Sequence, residues 1–160
     1  MSSPVFILTL ATALGCAVVA GVFYAFSAFV MPALARVEPR SGIAAMQAIN
    51  VTAVMPAFMT AFMGTALACV ASVAVSLTHW DEDYAPYSLA GAALYLIGAI
   101  GVTGRYHVPR NNALATLDPE EREAERQWDR YQRSWTAGNH LRAAAALAAA
   151  WLLVAAVRVG

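Results

Sequence analysis

Lysine is missing from this chain: all ten basic residues are arginine, matched by ten acids for a formal net charge of zero. A nucleic-acid surface needs an excess of cations. Here seven of the acids share loops with the arginines, so no nucleic-acid partner is expected. Charge is scarcest within residues 5–30, 54–76, 89–108 and 141–157, which hold no Asp or Glu and only Arg105 and Arg142. A proton-coupled antiporter normally needs a carboxylate at such depth, and that class is excluded. Cysteine is limited to Cys16 and Cys69. Without a motif or metal-ligand spacing, both read as small packing residues at somewhat different depths, and no metal site is expected. Phosphate-binding loops, dinucleotide fingerprints, nucleophile elbows and HExxH are all absent. No basic residue precedes the first apolar run, and that run exceeds the ~7–15 residues of a cleaved signal, so it is expected to stay in the membrane.

What the chain has in abundance is apolar length. It is 60% hydrophobic and 12% charged, against ~45–50% and ~25% in soluble domains. Runs 54–76 and 89–108 fit the ~20 residues that a ~30 Å hydrocarbon layer demands, 5–30 exceeds it, and 141–157 is marginal. Lipid satisfies no backbone polar groups, and the strand alternation of a barrel is absent, so the runs must be helices. The expected fold is all-α: residues 1–160 form a single integral-membrane four-helix bundle, with the bilayer as its first partner. Arg36 and Arg40 follow the first span and six arginines lie near the third connection, whereas the second carries only Asp81, Glu82 and Asp83. The positive-inside rule puts the first and third connections in the cytoplasm and both termini outside.

Small residues recur every fourth position at Ala13, Ala17, Gly21 and Ala25, and again at Thr60, Gly64, Ala68, Ser72 and Ser76. Such stripes allow close helix approach within the chain or in a homo-oligomer. Residues 41–53 are too polar to span; Ser41 can cap a short helix carrying Gln47 and Asn50 on one face. In the third connection, Asp118-Pro119-Glu120-Glu121 matches a capping box, predicting an amphipathic cytoplasmic helix over 119–136 that leads into the fourth span.

Along that helix Trp128, Tyr131, Trp135, Asn139 and Arg142 fall on one stripe of the 3.6-residue period, with His140 offset by ~100°. Gln47, Asn50, His107 and Asn111 belong to the same end of the bundle. Each has a bland role: Trp and Tyr anchor spans at the interface, Arg142 can snorkel to phosphates, and amides bond across helices. Together they exceed what anchoring requires and mark a candidate site for a hydrophobic small molecule.

The runs Gly21–Leu34 and Gly42–Asn50, the segment Val108–Leu114, and Trp128–Tyr131 with Trp135–Arg142 resemble the anthrone oxygenase-like family of small four-helix membrane proteins. The resemblance implies oxidation of anthrones to anthraquinones by dioxygen without an evident cofactor, and a bacterial inner membrane as the compartment. His107 stands where the family's Asn is expected, and Arg110 where an aliphatic is usual. For such chemistry His140 or His107 would be the base. Asn139, Arg142 and Asn111 would donate to the oxyanion, with Gln47, Asn50, Trp128, Tyr131 and Trp135 framing the ligand. Two alternatives stay open: a non-catalytic membrane protein binding a lipid or quinone-like ligand, and an electron carrier with haem between His107 and His140.

Overall fold

A computed structural model describes every residue except Arg122, which falls within the helix expected over 119–136. The described residues form five helices and no strand. These are α1 (Ser3–Leu34), α2 (Pro39–Ala53), α3 (Pro56–Thr78), α4 (Ala85–Ala115) and α5 (Ala124–Val159). All but α2 are long and apolar enough to cross a membrane. Their outward surfaces are apolar too: Leu67, Ile97 and Leu147 are 70%, 71% and 63% exposed. In water such a surface would be an aggregation site; in a bilayer it is the solvated face.

The helix packing creates two cores. Cys16, Val19, Phe62, Cys69, Tyr95, Ala146 and Leu153 fill the first, between the four long helices. The second, at the arginine-rich end, joins Met31, Ile43, Met46, Leu114, Trp128, Tyr131 and Trp135. Glycine permits close approach where it is needed: a Cβ on Gly98 would collide with that of Ala145, so α4 and α5 meet backbone to backbone there. At the opposite end the Met1 ammonium donates to the Gly160 carbonyl oxygen at 2.9 Å. Gly160 also rests against Tyr84, so the start of α1, the end of α5 and the α3–α4 connection share one end.

Proline shapes the long helices from within. Pro32 and Pro109 lack an N–H and press on the carbonyl four residues back. Just upstream of each the helix widens into a π turn, at Phe26–Val30 and Thr103–His107, and a further π stretch covers Leu96–Gly101. A π turn inserts residues relative to the α register and rotates the downstream side chains about the helix axis.

Four expectations need correction. α5 begins at Ala124, because Asp118 turns its carboxylate to the Glu120 N–H two residues on (2.9 Å), a local turn that competes with a helix start. α2 begins at Pro39, whose preset φ suits a first helical position, so Ser41 caps nothing. Of the two small-residue stripes Ala13, Ser72 and Ser76 are buried, whereas Ala17, Gly21, Thr60 and Gly64 face outward; α1 and α3 meet through Gly15 against Thr65 and Thr12 against Ser72 (Oγ–Oγ 3.3 Å). Cys16 and Cys69 are level, not offset: both are fully buried free thiols lying against each other.

Candidate functional site

Polar side chains gather between the two cores. Asn139 and Arg142, one helical turn apart on α5, follow Trp135 and precede the alanine-rich apolar stretch. The π turn before Pro109 points His107 inward, where it is completely buried. Its Nε2 lies 3.2 Å from the Trp135 carbonyl oxygen. A carbonyl can only accept, so this contact takes a hydrogen on Nε2, the tautomer that leaves the lone pair on Nδ1; the Val102 carbonyl is a second backbone acceptor beside the ring. Nδ1 is buried and has no partner.

Arg142 is 6% exposed. Its Nη1 donates to Thr103 Oγ1 at 3.1 Å and its Nη2 to Asn139 Oδ1 at 2.7 Å, leaving Nε buried without a partner. The guanidinium lies over the Phe23 ring at 4.2 Å and near that of Trp135 at 5.2 Å. His107 meets the same indole edge-to-face at 5.1 Å, so imidazole and guanidinium both lie against Trp135. None of the ion pairs among the described residues includes Arg142; they join exposed Arg40 and Arg126 to Glu38, Glu120 and Glu123. A buried cation without a carboxylate is costly and conspicuous in lipid. Ring faces and neutral oxygens offset part of that cost.

Asn139 is fully buried and donates through Nδ2 to the Phe23 carbonyl oxygen (2.6 Å) and Ser27 Oγ (2.7 Å), both beside the π turn of α1. Asn111 Oδ1 accepts from Tyr131 Oη at 2.9 Å and Trp135 Nε1 at 3.0 Å. Trp128 stacks on Tyr131 with centroids 5.6 Å apart and packs against Gly42. Seven of the ten residues singled out by sequence therefore converge: His107, Asn111, Trp128, Tyr131, Trp135, Asn139 and Arg142. Asn50 borders them beside Tyr131, with a buried Nδ2 that has no partner.

Two residues do not join. Gln47 donates to the carbonyl oxygens of Leu114 and Leu117 at 2.9 and 3.0 Å, closing the end of α4. His140 is exposed, because its ~100° offset carries it off the buried stripe. One imidazole is thus buried and the other exposed, and they do not form the facing pair that the haem alternative needs. Sequence reading missed Ser27, Thr103 and Tyr106; the signal available was Pro32 and Pro109, each just past the end of an apolar run. Tyr106 closes the outer side of the site, its hydroxyl donating to the Ser134 carbonyl oxygen at 3.0 Å. Its ring packs against Gly138, where a Cβ would also lie 2.9 Å from His107 Cε1.

The chain matches no curated protein sequence and no solved structure. A family model does match, over residues 53–152, which include His107, Asn111 and the whole Trp128–Arg142 stripe but not the 21–50 region. That model is described as Anthrone oxygenase, and with well over half of its residues matched the chain belongs to this family.

Proposed function

We propose that this protein is a membrane-embedded oxygenase that uses dioxygen, and no resident cofactor, to oxidise anthrone-like carbon acids to the ketone. The observation carrying this reading is the pair of unpartnered buried atoms, His107 Nδ1 and Arg142 Nε, on two side chains that both lie against Trp135. A free lone pair beside an unneutralised cation suits a substrate that loses a proton and becomes an anion.

The chemistry balances without further reagents. His107 Nδ1 takes one benzylic proton, and the negative charge delocalises onto the anthrone oxygen, where Arg142 stabilises it. The electron-rich anion reduces dioxygen and forms a C–O bond, and the imidazolium proton completes the hydroperoxide. The base then removes the second benzylic proton, the O–O bond breaks and water leaves. Overall, a CH2 group and O2 become C=O and H2O. Asn139 and Thr103 hold the guanidinium in place, and Trp135 supplies a flat wall.

We further assign the arginine-rich end to the cytoplasm of a bacterial inner membrane, with both termini outside. The orientation rests on the asymmetry of arginine between connections. An anthrone is poorly soluble in water, so a site at membrane depth suits its delivery.

The test is anthrone oxidation by protein in nanodiscs, monitored by oxygen uptake and anthraquinone absorbance. We expect turnover above the spontaneous rate, reduced ~10²–10⁴-fold in His107→Ala, the range of a general base. A rate equal to the protein-free control, or an unaltered one in His107→Ala, overturns the proposal. Binding without turnover would favour the non-catalytic ligand-binding alternative.

A further inference from the structure

On the outer side of Tyr106 lies a groove of about 560 Å³, between α4 and α5 on the bundle's lipid-facing surface. Ile97, Gly101 and Val102 form one wall, and Ala137, Gly138 and Leu141 the other. A glycine stands in each wall, Gly101 on α4 and Gly138 on α5. The lining is apolar with one exception: Arg105, exposed and without a salt bridge or hydrogen-bond partner among the described residues.

The floor is thin. The Tyr106 ring edge packs against Gly138, and His107 Cε1 lies immediately beyond. Arg110 holds the tyrosine from the far side, with its guanidinium carbon 3.4 Å from the ring centroid and its Nη1 on the Tyr106 carbonyl oxygen at 2.8 Å. Tyr106 and Gly138 thus line a bilayer-facing groove and lie directly against the buried imidazole of His107.

We infer that this groove is the binding and access site for a planar, apolar molecule bearing one acidic oxygen, taken up directly from the bilayer, with Tyr106 as the partition to be displaced before it reaches His107. Planarity of the occupant follows from the oxygenase reading, and the unpaired Arg105 in the lining selects one anionic or hydrogen-bonding oxygen. An acyl chain fits the apolar walls but leaves the closeness of His107 to the Gly138 wall unused. The identity of the occupant as a reactant rests on the oxygenase reading; the position of the groove does not.

The test uses full-length protein in nanodiscs and anthraquinone carboxylate, a planar ketone that abstracts hydrogen from neighbouring C–H bonds under near-ultraviolet light. We expect adducts confined to residues 97–106 and 137–141. Ile97→Trp, at a 71% exposed position, should fill the groove without disturbing the fold. Gly101→Leu does so from within, since a Cβ there meets nothing nearer than the Leu96 carbonyl oxygen at 3.6 Å. Each should lower labelling about tenfold or more, the equivalent of one order in affinity. Arg105→Gln should weaken labelling by the carboxylate and spare that by neutral anthraquinone. Adducts spread over the lipid-facing surface, displacement by phospholipid alone, or labelling unchanged in both filled variants would overturn the inference. Labelling reads occupancy whether or not anything is oxidised. Groove-directed adducts without anthrone turnover would sink the oxygenase reading alone, and turnover undiminished in Ile97→Trp would sink the groove alone.

Discussion

Arg142 sets the terms at the residue scale, because a guanidinium between Phe23 and Trp135 with no carboxylate beside it is held for something other than stability. Replacing a buried charge by an apolar side chain of similar volume is often neutral or stabilising. We therefore expect Arg142→Met to leave thermal stability unchanged or raise it by about 1 kcal/mol, while anthrone turnover falls ~10²–10³-fold, as for a lost oxyanion donor. Loss of the fold in Arg142→Met, read by circular dichroism in nanodiscs, would make the residue structural. His107→Gln keeps a polar side chain of similar reach that cannot take up a proton, and turnover should drop by about 10²-fold or more with the fold intact. The stripe from Trp128 to Arg142 is legible in the sequence because the 3.6-residue period survives intact along α5. His140 is attractive as a base by residue type alone, yet its offset already points it off the stripe.

At the scale of elements, prolines and glycines position the site more than any single polar residue does. Pro109 forces the π turn that swings His107 onto Trp135, and Pro32 does the same near Ser27. Pro109→Ala lets α4 regain the α register. It should rotate His107 out of its contact with the Trp135 carbonyl oxygen and abolish turnover at unchanged helix content. Gly98 tests packing instead: Gly98→Leu overfills the contact with Ala145 and should cost about 1–3 kcal/mol in thermal unfolding. The four long helices can be read from hydropathy because lipid allows no other backbone solution. Helix starts are less legible. Asp118-Pro119 carries the same residue types whether it opens a helix or folds into a turn, and only the contacts of the neighbouring chain decide between them.

For the molecule as a whole, orientation is set by where arginine is placed. Trypsin cuts after Arg and Lys, and this chain has no Lys, so the exposed arginines at positions 36, 40 and 126 act as markers of one end. Trypsin should cleave the connections in inside-out vesicles and spare them in right-side-out ones, where only Arg158 is within reach. The reverse pattern would invert the proposed topology. Inside the bundle, the two thiols packed against each other between α1 and α3 have a different use. Water and reagents reach neither, so a maleimide can react only during moments when those helices part. Its rate is a built-in stopwatch for spontaneous opening of the bundle, and it needs no engineered reporter.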